Sequence, residues 1–155
     1  MSTSDDSLAS WAQARLANVY EYAPDTEAQN LVSNFDTALS PRAEIFLNDK
    51  PVEYDEYRKD MTERKAMANR AKVEFKDVIE VLDENKRTGL VAGTIVVTRQ
   101  SKLRIRAAPA THFNTIVFHA RVSEEEDAGE DGRRITHLRL ISATKAAPIN
   151  LVHPH

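Results

Sequence analysis

The apolar residues of this chain change period partway along it, and that switch limits the fold more than any other feature. Up to about residue 69 they recur at steps of three and four, the spacing of one helix face. Leu8, Trp11, Ala12, Leu16, Val19 and Tyr20 form one such stripe. Asp5, Asp6 and Ser7 precede it as capping residues, and Pro24 ends it. Ala28, Leu31, Val32, Phe35 and Leu39 form a second stripe, begun by Asp25 and stopped by Pro41. Residues 43–47 read as a short strand and 48–51 as a turn. Residues 53–69 then read as a third helix, with Tyr54, Tyr57, Met61 and Ala68 along one side.

From Val73 the period is two. Val73, Phe75, Ile79 and Val81 alternate with Lys72, Glu74, Lys76 and Glu80, and only Asp77 and Val78 interrupt them. Residues 83–86 are a turn, and 88–99 are a β-branched run. Leu103 to Arg106 continues that strand after an irregularity, and residues 107–110 break it. Residues 112–122 and 134–144 are two more strands, joined by an acidic loop over 124–132 that is too charged to bury. Three helices and a short hairpin followed by four long strands in a meander predict an α+β domain. A strongly curved, mostly antiparallel sheet wrapped around the helices makes a cone, and its mouth suits a small molecule.

The 155 residues predict a single domain over 1–155, with a core at about 7–145 and an extended tail at 146–155. Lys+Arg 21 against Asp+Glu 24 gives a net charge of −3, which speaks against a nucleic-acid binder working by bulk positive charge. No segment has the ~20 apolar residues of a membrane span. The polar start MSTSDDS has no basic, apolar leader pattern, so a cytoplasmic protein is expected. With no cysteine there is no disulfide, thiol nucleophile or thiolate metal site. His and carboxylate spacings fit no metal motif, and the 4 glycines build no phosphate loop, so no metal and no cofactor are expected.

The stretch LSPRAEIFLNDKPV, residues 39–52, resembles the helix end, first strand and N-x-x-P turn of the NTF2-like superfamily in its SnoaL-like branch. Gly132-Arg133-Arg134-Ile135 resembles the start of that family's last strand, and the element order is similar over roughly residues 7–145. The resemblance implies the same cone. It does not imply one function, because the scaffold hosts ketosteroid isomerase, scytalone dehydratase and polyketide cyclases beside transport adaptors and oligomerising domains. Ketosteroid isomerase carries its base on or just after the first strand. Here the nearest carboxylate, Asp49, lies in the turn beyond, so no residue is carried over as catalytic.

The residues themselves offer candidates. Asp77, if it points into the cone, is a desolvated carboxyl able to act as acid or base; a bulge at Val78 would turn it outward. His112 and Asn114 share a strand face with Ile116 and Phe118 and could meet a polar group. A one-residue slip would bring in His119 instead, together with His137. Tyr20 and Tyr57 lie on helix faces that look into the cone, where a phenol can polarise a carbonyl. Arg99, Lys102, Arg104 and Arg106 make a basic stretch suited to a solvated edge or to the acidic loop. The leading expectation is a protein binding a small, largely apolar ligand, with cofactor-free dehydratase, isomerase or cyclase chemistry as its enzymatic form. The alternative is a protein-interaction or oligomerisation module. Apolar residues on both strand faces predict a homodimer through the sheet.

Overall fold

The computed structural model describes residues 7–23, 34–66, 68–105, 108–129 and 131–146. Helix α1 spans Leu8–Tyr20 and α2 spans Tyr54–Ala66. The strands are β1 (Leu39–Leu47), β2 (Lys50–Val52), β3 (Ala68–Leu82), β4 (Gly89–Ile105), β5 (Ala108–Glu124) and β6 (Arg133–Ala146). They form one open sheet in the order β2-β1-β6-β5-β4-β3. Only β1 and β6 run parallel; the other neighbours are antiparallel. The helices lie against one face, giving an α+β architecture.

The α1 stripe is buried as its spacing predicts, at Leu8, Trp11, Ala12, Leu16, Val19 and Tyr20. Ser7 caps the helix by accepting from the Ser10 N–H at 3.0 Å. Glu80 reaches over from β3 and accepts from the Ala9 N–H at 2.7 Å, placing a carboxylate on the positive end of the helix. The helix α2 buries Tyr54, Tyr57, Met61 and Lys65, so its inward stripe ends on a cation. On the sheet, Val91, Ile95, Val97, Ile116, Phe118, Ala120, Leu138 and Leu140 complete the core.

Several boundaries differ from the sequence expectation. Residues 34–38 are helical, but the chain enters β1 at Leu39 and carries Pro41 inside that strand. The proline is tolerated because pairing with β6 is interrupted there, jumping from Leu39↔Ile135 to Glu44↔His137. The earlier part of that expected helix, residues 24–33, lies outside the described residues, as does most of the expected tail. The third helix stops at Ala66, and β3 begins at Ala68. The strand β5 starts at Ala108, with the irregularity falling between Gln100 and Arg104 on β4.

The largest correction concerns β3. Its pairing with β4 shifts between Lys76 and Ile79, and Asp77 takes a left-handed backbone at φ 54. The extra residue reverses the faces beyond it. Val73, Phe75, Val78 and Glu80 face inward, while Ile79 and Val81 stand 65% and 63% exposed on the outside. The four apolar residues of the alternation therefore do not share one face. Gly93 lies opposite the bulge, where a Cβ would come within 2.9 Å of Val78 Cγ2.

The acidic loop engages arginines of α1, β1 and β6, while the side chains of Lys102, Arg104 and Arg106 in the basic stretch lie outside the described residues. Arg42 reaches Glu125 at 3.2 Å and Asp127 at 3.4 Å, and Arg134 reaches both. Asp131 accepts from Trp11 Nε1 at 3.1 Å and pairs with Arg133 at 2.7 Å. Arg15 and Arg133 sit over the Trp11 ring at 5.2 and 5.0 Å from its centroid.

Candidate functional site

Inside the cone the sequence candidates separate. Tyr20 from α1 and Tyr57 from α2 meet directly, with their hydroxyl oxygens 2.7 Å apart in a fully buried setting. Burial pushes the Tyr20 phenol up to about 12, against a smaller lowering by its bond with Tyr57. The Tyr57 phenol is raised as well, by burial first and by Tyr20 second. Both stay protonated at neutral pH, so they act as neutral hydrogen-bonding groups and not as bases.

Asn114, from the inner face of β5, joins them. It is 2% exposed, and its side-chain amide donates to Ser142 Oγ at 2.7 Å, Thr144 Oγ1 at 3.0 Å and the Ala143 carbonyl at 3.1 Å. Tyr20, Tyr57, Asn114, Asp60, Arg64 and Ser142 help to line one shared cavity. Its volume is about 20 Å³, space for a single water. A pocket for a drug-sized molecule measures roughly 300–1,000 Å³. A separate depression of about 390 Å³ opens at the end of α1 between Asn18, Glu21, Tyr22, Arg70 and Lys72, while Ile116, Met61 and Leu140 pack around the small cavity.

The other candidates do not reach this cavity. His112 is half-buried on the same face, one step beyond Asn114, opposite Arg99 of β4. Asp77 is exposed at the bulge, so the desolvated acid that an inward position would create is not formed. His119 is exposed on the outer face of the sheet, opposite Arg139. No register slip brings it inward, because the alternation from Asn114 to Val122 buries each even-numbered position. His137 also lies outside and contacts Glu44 at 2.7 Å.

Of two cations at the cone's end, Lys65 escaped sequence reasoning, and Arg99, expected on a solvated edge, is part-buried. Lys65 is 5% exposed and donates to the Asn18 carbonyl at 3.2 Å. Burial, then the nearby Arg99 charge, lowers its ammonium to about 8. Arg99 is lowered too, by burial first and then by Arg64. The signal for Lys65 was its place four residues after Met61 on the buried stripe of α2. Among the described residues no three His, Cys, Asp or Glu side chains converge to hold a metal. No described helix is long and apolar enough to cross a membrane.

The outer face of the sheet is different in character. Val117 is 49% exposed, Ile141 65% and Phe113 37%, and no described element covers them. Beside them, Glu44, Phe46, Leu90, His119, Arg121, His137 and Arg139 surround a depression of about 360 Å³.

Helices held on one face of an open, six-stranded sheet whose β1 runs parallel to β6 define a half-open α+β cone. Solved structures share it. IdmH from Streptomyces antibioticus, a candidate polyketide cyclase, superposes with a TM-score of 0.58 at 16% identity, covering 86% of this chain and 91% of its own. Candida albicans Mtr2, in its complex with the Mex67 M domain, gives 0.58 at 12% identity over 92% and 96%. The CaMKII hub of S. rosetta gives 0.52 at 16% identity over 75% and 85%. No protein-family model matches the sequence, and no curated protein matches it. The chain has the NTF2-like fold.

Proposed function

We propose that this chain is an NTF2-like interaction and oligomerisation module whose working surface is the outside of its sheet, with a second copy of itself as partner. The observation that carries the reading is the contrast between the two faces. The cavity at the Tyr20–Tyr57 bond on the inner face holds about 20 Å³. The outer face leaves Val117 and Ile141 bare side by side, and Phe113 bare two rows further along β5. Covering that patch removes apolar surface from water and protects the strands on their second side. Mtr2 and the CaMKII hub show that the fold is compatible with partner binding and assembly. The protein is read as cytoplasmic. Small-angle scattering at micromolar concentration tests the proposal. Twice the 17.4 kDa chain mass is expected. The single-chain mass at every concentration contradicts it.

A second reading, a cofactor-free acid–base protein for a small, largely apolar ligand, is favoured by one observation. Tyr20, Tyr57 and Asn114 converge on one cavity. In that reading the tyrosine pair parts to admit a ligand and one phenol hydrogen-bonds its carbonyl, with His112 placed nearer the mouth. A change in tyrosine absorbance on titrating small enones, lost in Tyr57→Phe, supports it. No response from any of them counts against it.

A further inference from the structure

Most described arginines are paired with a carboxylate, from Arg15 with Asp131 to Arg139 with Asp49. Arg70 and Arg99 are not, and neither are Lys65 and Lys72: none of these forms an ion pair among the described residues. The chain brings these cations to one place. Arg70 and Lys72 flank Ala71 on β3, and Arg99 stands opposite Ala71 on β4. Lys65 reaches across from α2 to the Asn18 carbonyl in the last turn of α1. Asn18, Arg70, Ala71 and Lys72 all line the depression of about 390 Å³ at the end of α1.

Two backbone bonds fix its wall. The Tyr22 N–H donates to the Ala71 carbonyl and the Ala71 N–H to the Tyr22 carbonyl, both at 3.0 Å, pinning the chain that leaves α1 to the edge of β3. The end of a helix normally repels an anion, because its free carbonyls carry partial negative charge. Here those carbonyls are occupied. The Ala17 carbonyl accepts from the Glu21 N–H at 2.7 Å, and the Asn18 carbonyl accepts from the Lys65 ammonium at 3.2 Å. Lys65 is buried and Arg99 is part-buried, so water screens their charge little. Among the described lining residues Glu21 is the one carboxylate, and it accepts from the Val73 N–H at 3.4 Å. Asp60 is engaged by Arg64 at 3.1 Å. The balance at this end of the cone is therefore positive by more than one charge.

We propose that this depression is a phosphate-binding site, separate from the outer face of the sheet: Arg70 and Lys72 contact the anion, and Lys65 and Arg99 hold a positive field behind it. A dianion matches an excess of more than one positive charge. Guanidinium and ammonium donors both suit its several oxygens. The space exceeds a bare phosphate, and Asn18 and Asn34 add side-chain amides to the lining, so a small phosphate ester fits as well as the free ion.

In separate titrations potassium phosphate and glycerol 3-phosphate replace potassium chloride at constant ionic strength, followed by backbone amide shifts of the whole protein. Saturable shifts centred on residues 18–23 and 70–72 are expected with both. The Arg70→Ala/Lys72→Ala protein should bind about tenfold more weakly. Lys65→Met should bind about threefold more weakly, because it removes field and not contact. Lys76→Ala, which removes an exposed cation further along β3, should bind as wild type does. Circular dichroism confirms that each variant folds. Unchanged affinity in the double variant overturns the contact, and unchanged affinity in Lys65→Met overturns the field behind it. An equal loss in Lys76→Ala shows unspecific attraction and overturns the site. So does the absence of saturable shifts, or binding to phosphatidic acid vesicles with neither soluble probe.

Discussion

Tyr20 Oη and Tyr57 Oη lie 2.7 Å apart and join α1 to α2 over the inner face of the sheet. Each phenol supplies the other's hydrogen bond in a place that water scarcely reaches. Tyr57→Phe leaves the Tyr20 hydroxyl buried without this partner, at a cost of about 1–3 kcal/mol. Changing both to Phe removes both polar groups and should cost less than the two single changes added together. Urea unfolding of the four proteins measures this. Simple additivity would show that the pair is not coupled.

Lys65 and the tyrosine pair give opposite slopes to stability against pH. The folded-state value of Lys65 is about 8 against an ordinary 10.5, so between these pH values the unfolded chain binds more protons. Stability therefore rises with pH across that window, by about 1–2 kcal/mol after allowing for partial screening. Tyr20 is shifted the other way, from 10.0 to about 12, so its contribution is intact below pH 10.0 and falls away above it. Thermal unfolding across alkaline pH should show a maximum near the crossing. Lys65→Met should flatten the rising limb. A rising limb unchanged in that variant would remove Lys65 as its cause.

The bulge at Asp77 and the glycine facing it are one device. A Cβ at Gly93 would lie 2.9 Å from Val78 Cγ2 and 3.0 Å from Val78 Cα. Gly93→Ala should therefore destabilise by about 1–3 kcal/mol through overpacking. Asp77→Gly relieves a left-handed backbone at φ 54 and should be neutral or stabilising by up to about 1 kcal/mol. Chemical denaturation compares them. A Gly93→Ala protein as stable as wild type would show that β3 can move away freely.

The period switch made the cone legible, and the α1 stripe was read residue for residue, because both depend on spacing within one element. Asp77 shows where such reading stops. Alternation assigns faces only while the register holds, and one left-handed residue reversed Ile79 and Val81. The same bulge brings Glu80 to the N-terminus of α1, a contact across 71 positions that no local pattern encodes. Pro41 lies inside β1 because pairing with β6 lapses there, a property of the partner strand. At the site, Tyr20, Tyr57 and Asn114 were legible as polar groups on apolar faces. The small size of their cavity was not, since its volume depends on how side chains from five elements interlock.

The account's central claim is that the outer face of the sheet, and not the inside of the cone, is the working surface. Sedimentation equilibrium of wild type beside Ile141→Asp tests it most directly. Ile141 is 65% exposed in the single chain, so the change costs the fold little, but in a dimer it places two carboxylates against apolar surface. The account predicts a dimeric wild type and a folded, monomeric Ile141→Asp protein. A variant that associates as tightly as wild type would contradict it.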